Sequence, residues 1–126
     1  MAKIAFIGLG NMGGPMAANL VKGQHQVMAF DLSAGAVDAA VGKGAKKAAS
    51  AAEAVKGAEV VVTMLPAGKH VRDVYEKDVL PNVAKGTVLI DCSTIDVDSA
   101  RHVGALAEKA GLEMVDAPVS GGVGGA

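Results

Sequence analysis

The first 31 residues constrain the fold of this chain more tightly than any other stretch. An apolar run, KIAFIG at residues 3–8, opens into glycines at 8, 10 and 13, and a second run, VMAF at residues 27–30, closes on Asp31. A buried-strand pattern that passes into G-x-G-x-x-G, then a helix, then a strand tipped by a carboxylate is the dinucleotide-binding fingerprint. The spacing has a physical reason at each glycine. Gly8 permits a sharp turn after the strand, Gly10 lets the backbone approach a pyrophosphate, and Gly13 lets the next helix lie close to the strand. The helix that opens near Asn11 aims its unpaired N–H groups and positive dipole end at the phosphates, so Asn11 and Met12 are expected to act through their backbone. Pro15 falls in the first turn, where its missing N–H costs little.

The chain holds 17 glycines, so the glycine spacing alone is weak, and a glycine-rich surface turn with a solvated Asp31 would show the same letters. Context strengthens it. Met12, Met16, Leu20 and Val21 recur at helical spacing, Gly23 stops the helix, and Asp31 falls 18 residues after Gly13, close to the expected place of a ribose-binding acid. A carboxylate there accepts from both ribose hydroxyls and repels a 2′-phosphate, and Leu32, Ser33 and Ala34 bring no arginine to hold one. The predicted cofactor is NAD rather than NADP.

At 126 residues the chain is expected to form one domain, residues 1–126, with a real core. Hydrophobic residues make up 51%, yet there is no Trp, one Tyr and two Phe, so the core must be built from small aliphatic side chains. A net charge of −1 offers no basic footprint for nucleic acid and no polybasic membrane patch. No apolar run reaches a spanning length, and no signal peptide is read before the first strand. A single cysteine fits a reducing, cytoplasmic setting. No metal site is expected.

Short, continuous apolar runs at residues 4–7, 27–30, 60–65, 88–90 and 112–115, with a weaker one near 45–48, read as parallel strands covered on both faces. Helical segments fall between them at about 12–22, 34–42, 50–56, 69–76 and 97–110. The fold class is therefore α/β: a Rossmann-type, doubly wound parallel sheet in three α/β/α layers, with strand order 3-2-1-4-5-6. Ligands in such sheets bind outside the carboxyl ends of the strands.

Three strand ends follow that rule. Thr63-Met64-Leu65-Pro66 places Leu65 and Pro66 on the cofactor side, although a strand-ending proline needs no ligand to explain it. At Asp91-Cys92-Ser93-Thr94-Ile95-Asp96, Ser93 or Thr94 can cap the next helix, with Asp96 or Asp98 as further caps, or its hydroxyls can meet a ligand. At DAPVSGGVGGA, residues 116–126, Ser120, Gly121 and Gly122 offer a hydroxyl and unhindered N–H groups for a carboxylate, or else a flexible linker. His70, in the first turn of a helix, His25 and His102 read as surface, and Cys92 as a small buried apolar residue.

Together FIGLGNMGGPMAANL (residues 6–20), TMLP (63–66), DCSTID (91–96) and DAPVSGGVGGA (116–126) resemble the 3-hydroxyisobutyrate dehydrogenases of the β-hydroxyacid dehydrogenase family. The STID run and Val123-Gly124 are more similar to that branch than to its tartronate or glyoxylate/succinic semialdehyde reductase relatives. The resemblance implies NAD-dependent hydride transfer that converts a short 3-hydroxy acid to its semialdehyde. It also implies that Gly8, Leu9, Gly10, Asn11, Met12, Gly13 and Asp31 hold the ADP half. Leu65, Pro66 and Thr94 would line the nicotinamide half, His70 would contact the cofactor, and Ser120, Gly121 and Gly122 would grip the substrate carboxylate. The family's catalytic lysine lies beyond the position of Ala126, as does its helical domain with much of the subunit interface. The expectation is thus the cofactor domain of a longer homo-oligomeric enzyme, with no catalytic residue in this segment. A reductase working with NADPH is the alternative that Asp31 disfavours. An NAD-binding module without catalysis would share the fingerprint but should add a dedicated partner surface.

Overall fold

The computed structural model describes residues 2–10 and 12–118. Its strands are β1 (Lys3–Ile7), β2 (Gln26–Phe30), β3 (Lys46–Lys47), β4 (Val60–Thr63), β5 (Val88–Asp91) and β6 (Glu113–Asp116). They pair in parallel in the order β3-β2-β1-β4-β5-β6, as expected from the alternation of apolar runs. The helices are α1 (Gly13–Lys22), α2 (Ala34–Gly42), α3 (Ala51–Val55), α4 (Gly68–Val74) and α5 (Val97–Lys109).

The four central strands, β2, β1, β4 and β5, send alternate side chains into two cores. Ile4 and Phe6 of β1 pack with Val27, Ala17 and Val37 beneath α1 and α2. Ala5 and Ile7, one residue out of step, pack with Val55, Val61, Val71, Leu89 and Val103 beneath α3, α4 and α5. That is why the runs do not alternate: both faces are dry. With so few aromatic residues, many alanines bring the helices close to the sheet.

Local chemistry sets the helix starts. Ser33 accepts from the Ala36 amide at 3.4 Å and Ser50 from the Glu53 amide at 3.0 Å. The Glu53 carboxylate reaches back to the Ala49 amide at 3.1 Å, a variant of the capping box. Asp96 caps α5 by accepting from the Ser99 amide at 2.9 Å, which decides among the four capping choices open in the sequence.

Two boundaries differ from the sequence expectation by more than one residue. β4 stops at Thr63 rather than running to Leu65, because only Met64 keeps the ladder, donating to the Ile7 carbonyl at 2.9 Å. Leu65 then turns its amide to a side chain and Pro66 has none to give. Beyond Val74 the chain continues as a π-helical turn over Tyr75–Val79, longer than expected, ending at Leu80 before Pro81. The turn carries the fully buried Tyr75, whose hydroxyl meets Thr63 at the end of β4, a tertiary demand that helical periodicity does not reveal.

Candidate cofactor-binding site

A cavity of about 610 Å³ opens at the carboxyl ends of β1, β2 and β4, where the strand order reverses direction. Its size suits a small-molecule site. Gly8, Gly10, Met12, Gly13, Asp31, Leu65, Pro66 and His70 line it, so eight residues singled out from the sequence meet in one place. Gly8 adopts φ +100°, and a Cβ there would strike the Met64 carbonyl. A Cβ on Gly13 would strike the Gly8 carbonyl and approach Phe6 at 3.2 Å. Around Gly10 no described residue comes within 4 Å of a Cβ position. The turn at Gly8 and the close helix packing at Gly13 match the sequence expectation.

α1 begins at the cavity with no side-chain cap from a described residue and no acid in its first turn. A helix end left this way suits an anion from outside the chain. Asp31 stands at the tip of β2. Its Oδ2 accepts from the Leu9 amide at 2.7 Å and its Oδ1 from the Ser33 amide at 2.8 Å. The acid therefore braces the glycine turn as well as facing the cavity, a second task that spacing did not disclose. Leu9 itself does not line the cavity: its side chain is buried under α1 and α2 and its amide is spent on Asp31.

Other placements are plainer. Thr94 is exposed and outside the cavity lining. His25 is half-buried, its Nδ1 accepting from the Ala2 amide at 3.0 Å, rather than simply surface, and His102 pairs with Glu76. Asn11, Ser120, Gly121 and Gly122 lie outside the described residues. Leu32, Ala51, Asp73, Val74 and Asp78 also line the cavity. Asp73 lies on α4 and Asp78 on the π turn, which is unmarked in the sequence. The lining holds three carboxylates and, among the described residues, neither Lys nor Arg. No group of described residues is arranged to hold a metal ion. No described helix is long and apolar enough to cross a membrane.

Beneath the β4 and β5 ends runs a buried polar chain. Thr63 Oγ1 donates to Asp91 Oδ1 at 2.8 Å and lies 3.0 Å from the Tyr75 hydroxyl. The Ser93 amide donates to the same Asp91 oxygen at 3.2 Å, and Ser93 Oγ accepts from the Leu65 amide at 2.7 Å. Asp91 is 1% exposed. Burial pushes its carboxyl above the ordinary carboxylate range despite hydrogen bonds from Ser93 and Thr63, and Asp116, its register partner on β6, adds to the rise. Burial likewise raises the Cys92 thiol and the Tyr75 hydroxyl, which keeps both neutral and supports reading Cys92 as a packing residue.

A raised carboxyl favours the protonated fold, so this contribution is complete below the ordinary Asp value near pH 4 and is lost as pH rises through the folded value. Asp91→Asn cannot ionise. Its melting temperature minus that of the parent protein is therefore expected to grow with pH from about 4 upward. Parallel melting curves across that range would contradict the assignment.

Comparison with known proteins shows the family. The family described as the NAD binding domain of 6-phosphogluconate dehydrogenase matches residues 3–126. A 3-hydroxyisobutyrate dehydrogenase of Pseudomonas aeruginosa is 56% identical over all of this chain and 43% of its own length. An NAD-dependent L-serine dehydrogenase of the same organism is 52% identical with the same coverage. The solved Mycobacterium tuberculosis 3-hydroxyisobutyrate dehydrogenase with L-serine superimposes with a TM-score of 0.97 at 53% identity, over 100% of this chain and 43% of that one. The chain thus spans less than half the length of these relatives. It belongs to the family of NAD-binding domains typified by 6-phosphogluconate dehydrogenase.

Proposed function

We propose that this chain is the cofactor-binding part of an NAD-dependent dehydrogenase that oxidises 3-hydroxyisobutyrate, or a similar short 3-hydroxy acid, to its semialdehyde. One observation carries the reading: the cavity joins the glycine turn, an uncapped helix start and Asp31 in a chain 56% identical throughout to a 3-hydroxyisobutyrate dehydrogenase. Bound NAD would supply the hydride acceptor. The residues of this chain would hold it, with Gly8, Gly10, Met12 and Gly13 along the diphosphate and Asp31 at the adenine ribose. Leu65, Pro66 and His70 would form the wall of the nicotinamide half. The 2′-phosphate of NADP would face Asp31 in a lining with no described Lys or Arg, which favours NAD.

L-serine is a second reading for the substrate, supported by the 52% identity to a serine dehydrogenase. Serine and 3-hydroxyisobutyrate share a carboxylate and a β-hydroxyl, and Ser120, Gly121 and Gly122 are proposed to take the carboxylate. Loss of hydride requires a group to receive the hydroxyl proton. No described residue of the cavity lining is a lysine, and the general base is assigned to the remainder of a longer, homo-oligomeric enzyme. A cytoplasmic setting is proposed on the single, reduced Cys92, and valine breakdown as the process that uses the reaction.

Calorimetric titration of the 126-residue chain should show saturable NAD binding at least about tenfold tighter than NADP, a difference of roughly 1.4 kcal/mol. Turnover of 3-hydroxyisobutyrate should stay at background. Tighter NADP binding, or a turnover rate typical of a complete dehydrogenase, would overturn the proposal.

A further inference from the structure

Ser93 neither caps α5 nor lines the cavity; it is buried at 1% exposure between Asp91 and the turn that follows β4. We infer that Ser93, clamped by Asp91, is a positioning residue that fixes the Leu65–Pro66 wall against which the nicotinamide half of NAD is held. The inference rests on the cofactor reading above and adds a residue outside the cavity to it.

The cavity supplies the direction. Asp31 sits on β2, the glycine turn on β1, and Leu65 and Pro66 after β4, so the lining advances along the sheet in the order β2, β1, β4. With the adenine ribose at Asp31 and the diphosphate at the glycine turn, the far half of the dinucleotide must extend toward β4. The wall it meets has little backbone support of its own. β4 ends at Thr63, the ladder ends at the Met64 amide, and Pro66 has no N–H. The Leu65 amide is the one donor of the Leu65–Pro66 wall, and it goes to Ser93 Oγ at 2.7 Å.

Ser93 can serve as a fixed acceptor because Asp91 Oδ1 holds its backbone, accepting from the Ser93 amide at 3.2 Å. Asp91 is itself held by Thr63 Oγ1 at 2.8 Å, and Thr63 by the buried Tyr75 hydroxyl at 3.0 Å. The wall is thereby tied to the β4 and β5 ends and to the π turn by side chains with little exposure to solvent. A preorganised wall holds a ligand without being reordered on binding.

The test compares NAD with ADP-ribose, which keeps the adenine, both riboses and the diphosphate but lacks the nicotinamide. In Ser93→Ala, NAD affinity is expected to fall about tenfold while ADP-ribose affinity stays within about twofold of the parent protein. An equal loss for both ligands, or no loss for NAD, would overturn the inference. Because buried Ser93 is a demanding place for a substitution, the unmodified protein supplies a second readout. Amide NMR shifts that differ between the NAD and ADP-ribose complexes should concentrate at Leu65, Ala67 and Ser93; their absence there overturns the inference whatever the variant does. If the unmodified protein binds neither ligand, the cofactor reading fails and takes this inference with it. If it binds both but the Ser93 predictions fail, only the positioning role is lost.

Discussion

Gly13→Ala is expected to destabilise the fold by about 3 kcal/mol and to abolish NAD binding, whereas Gly10→Ala should leave stability nearly unchanged and abolish binding alone. The asymmetry follows from what surrounds each residue. At Gly13 a methyl group would overlap the Gly8 carbonyl, lie 2.8 Å from the Gly8 carbonyl carbon and press on Phe6 at 3.2 Å. The obstacles are backbone and a fully buried ring, neither of which can rotate away. Either α1 lifts from β1, exposing the packing around Ala17 and Phe6, or the turn at residues 8–10 is displaced. A small domain is stable by only about 5–15 kcal/mol, so the loss is a large share of the total. At Gly10 no atom of the described residues lies within 4 Å of the added carbon, so none of them resists it. The same carbon would occupy the surface that a diphosphate must approach. Thermal denaturation and calorimetry on the two variants separate the effects. Equal melting temperatures, or undiminished NAD affinity in Gly10→Ala, would refute this account of the turn.

Asp31→Ala should weaken NAD binding about 10- to 100-fold, by roughly 1.4 to 2.8 kcal/mol, and should remove most of the preference over NADP. Two losses combine. The ribose loses a charged acceptor, and the Leu9 and Ser33 amides, bonded at 2.7 and 2.8 Å, lose the group that ties the glycine turn to the end of β2. NADP should suffer less, because its 2′-phosphate no longer meets a carboxylate. The conservative change Asp31→Asn keeps an acceptor for one amide and should fall between the two proteins in NAD affinity. Adding an arginine at Leu32, which is 92% exposed, to Asp31→Ala should move the preference further toward NADP. Unchanged relative affinities for the two nucleotides would remove the role given to Asp31.

Where a residue's reason lies within a few positions of it, the sequence was sufficient. The strand order, the turn at Gly8, the packing at Gly13 and the acid at the end of β2 all follow from local spacing and from the handedness of parallel crossovers. Features set by partners far along the chain were not legible. Ser93 pairs with Leu65 across 28 residues, and Thr63 with Asp91 across 28. Nothing near either residue marks the bond, so capping and ligand binding stayed open at Ser93. The π turn at Tyr75–Val79 was hidden for a related reason: it carries the Tyr75 hydroxyl to Thr63 at the end of β4, and apolar periodicity does not record hydroxyls. Leu9 shows the limit from the other side. It lies inside the fingerprint, but its neighbours in space commit its side chain to the core and its amide to Asp31.

The most direct test of the cofactor site is a crystal structure of the chain grown with NAD. The expected result is a diphosphate over the turn at residues 8–10 and the start of α1, with the adenine ribose hydroxyls on the Asp31 carboxylate. Nucleotide bound at the amino ends of the strands, or a diphosphate held away from Gly10 and Met12, would contradict it.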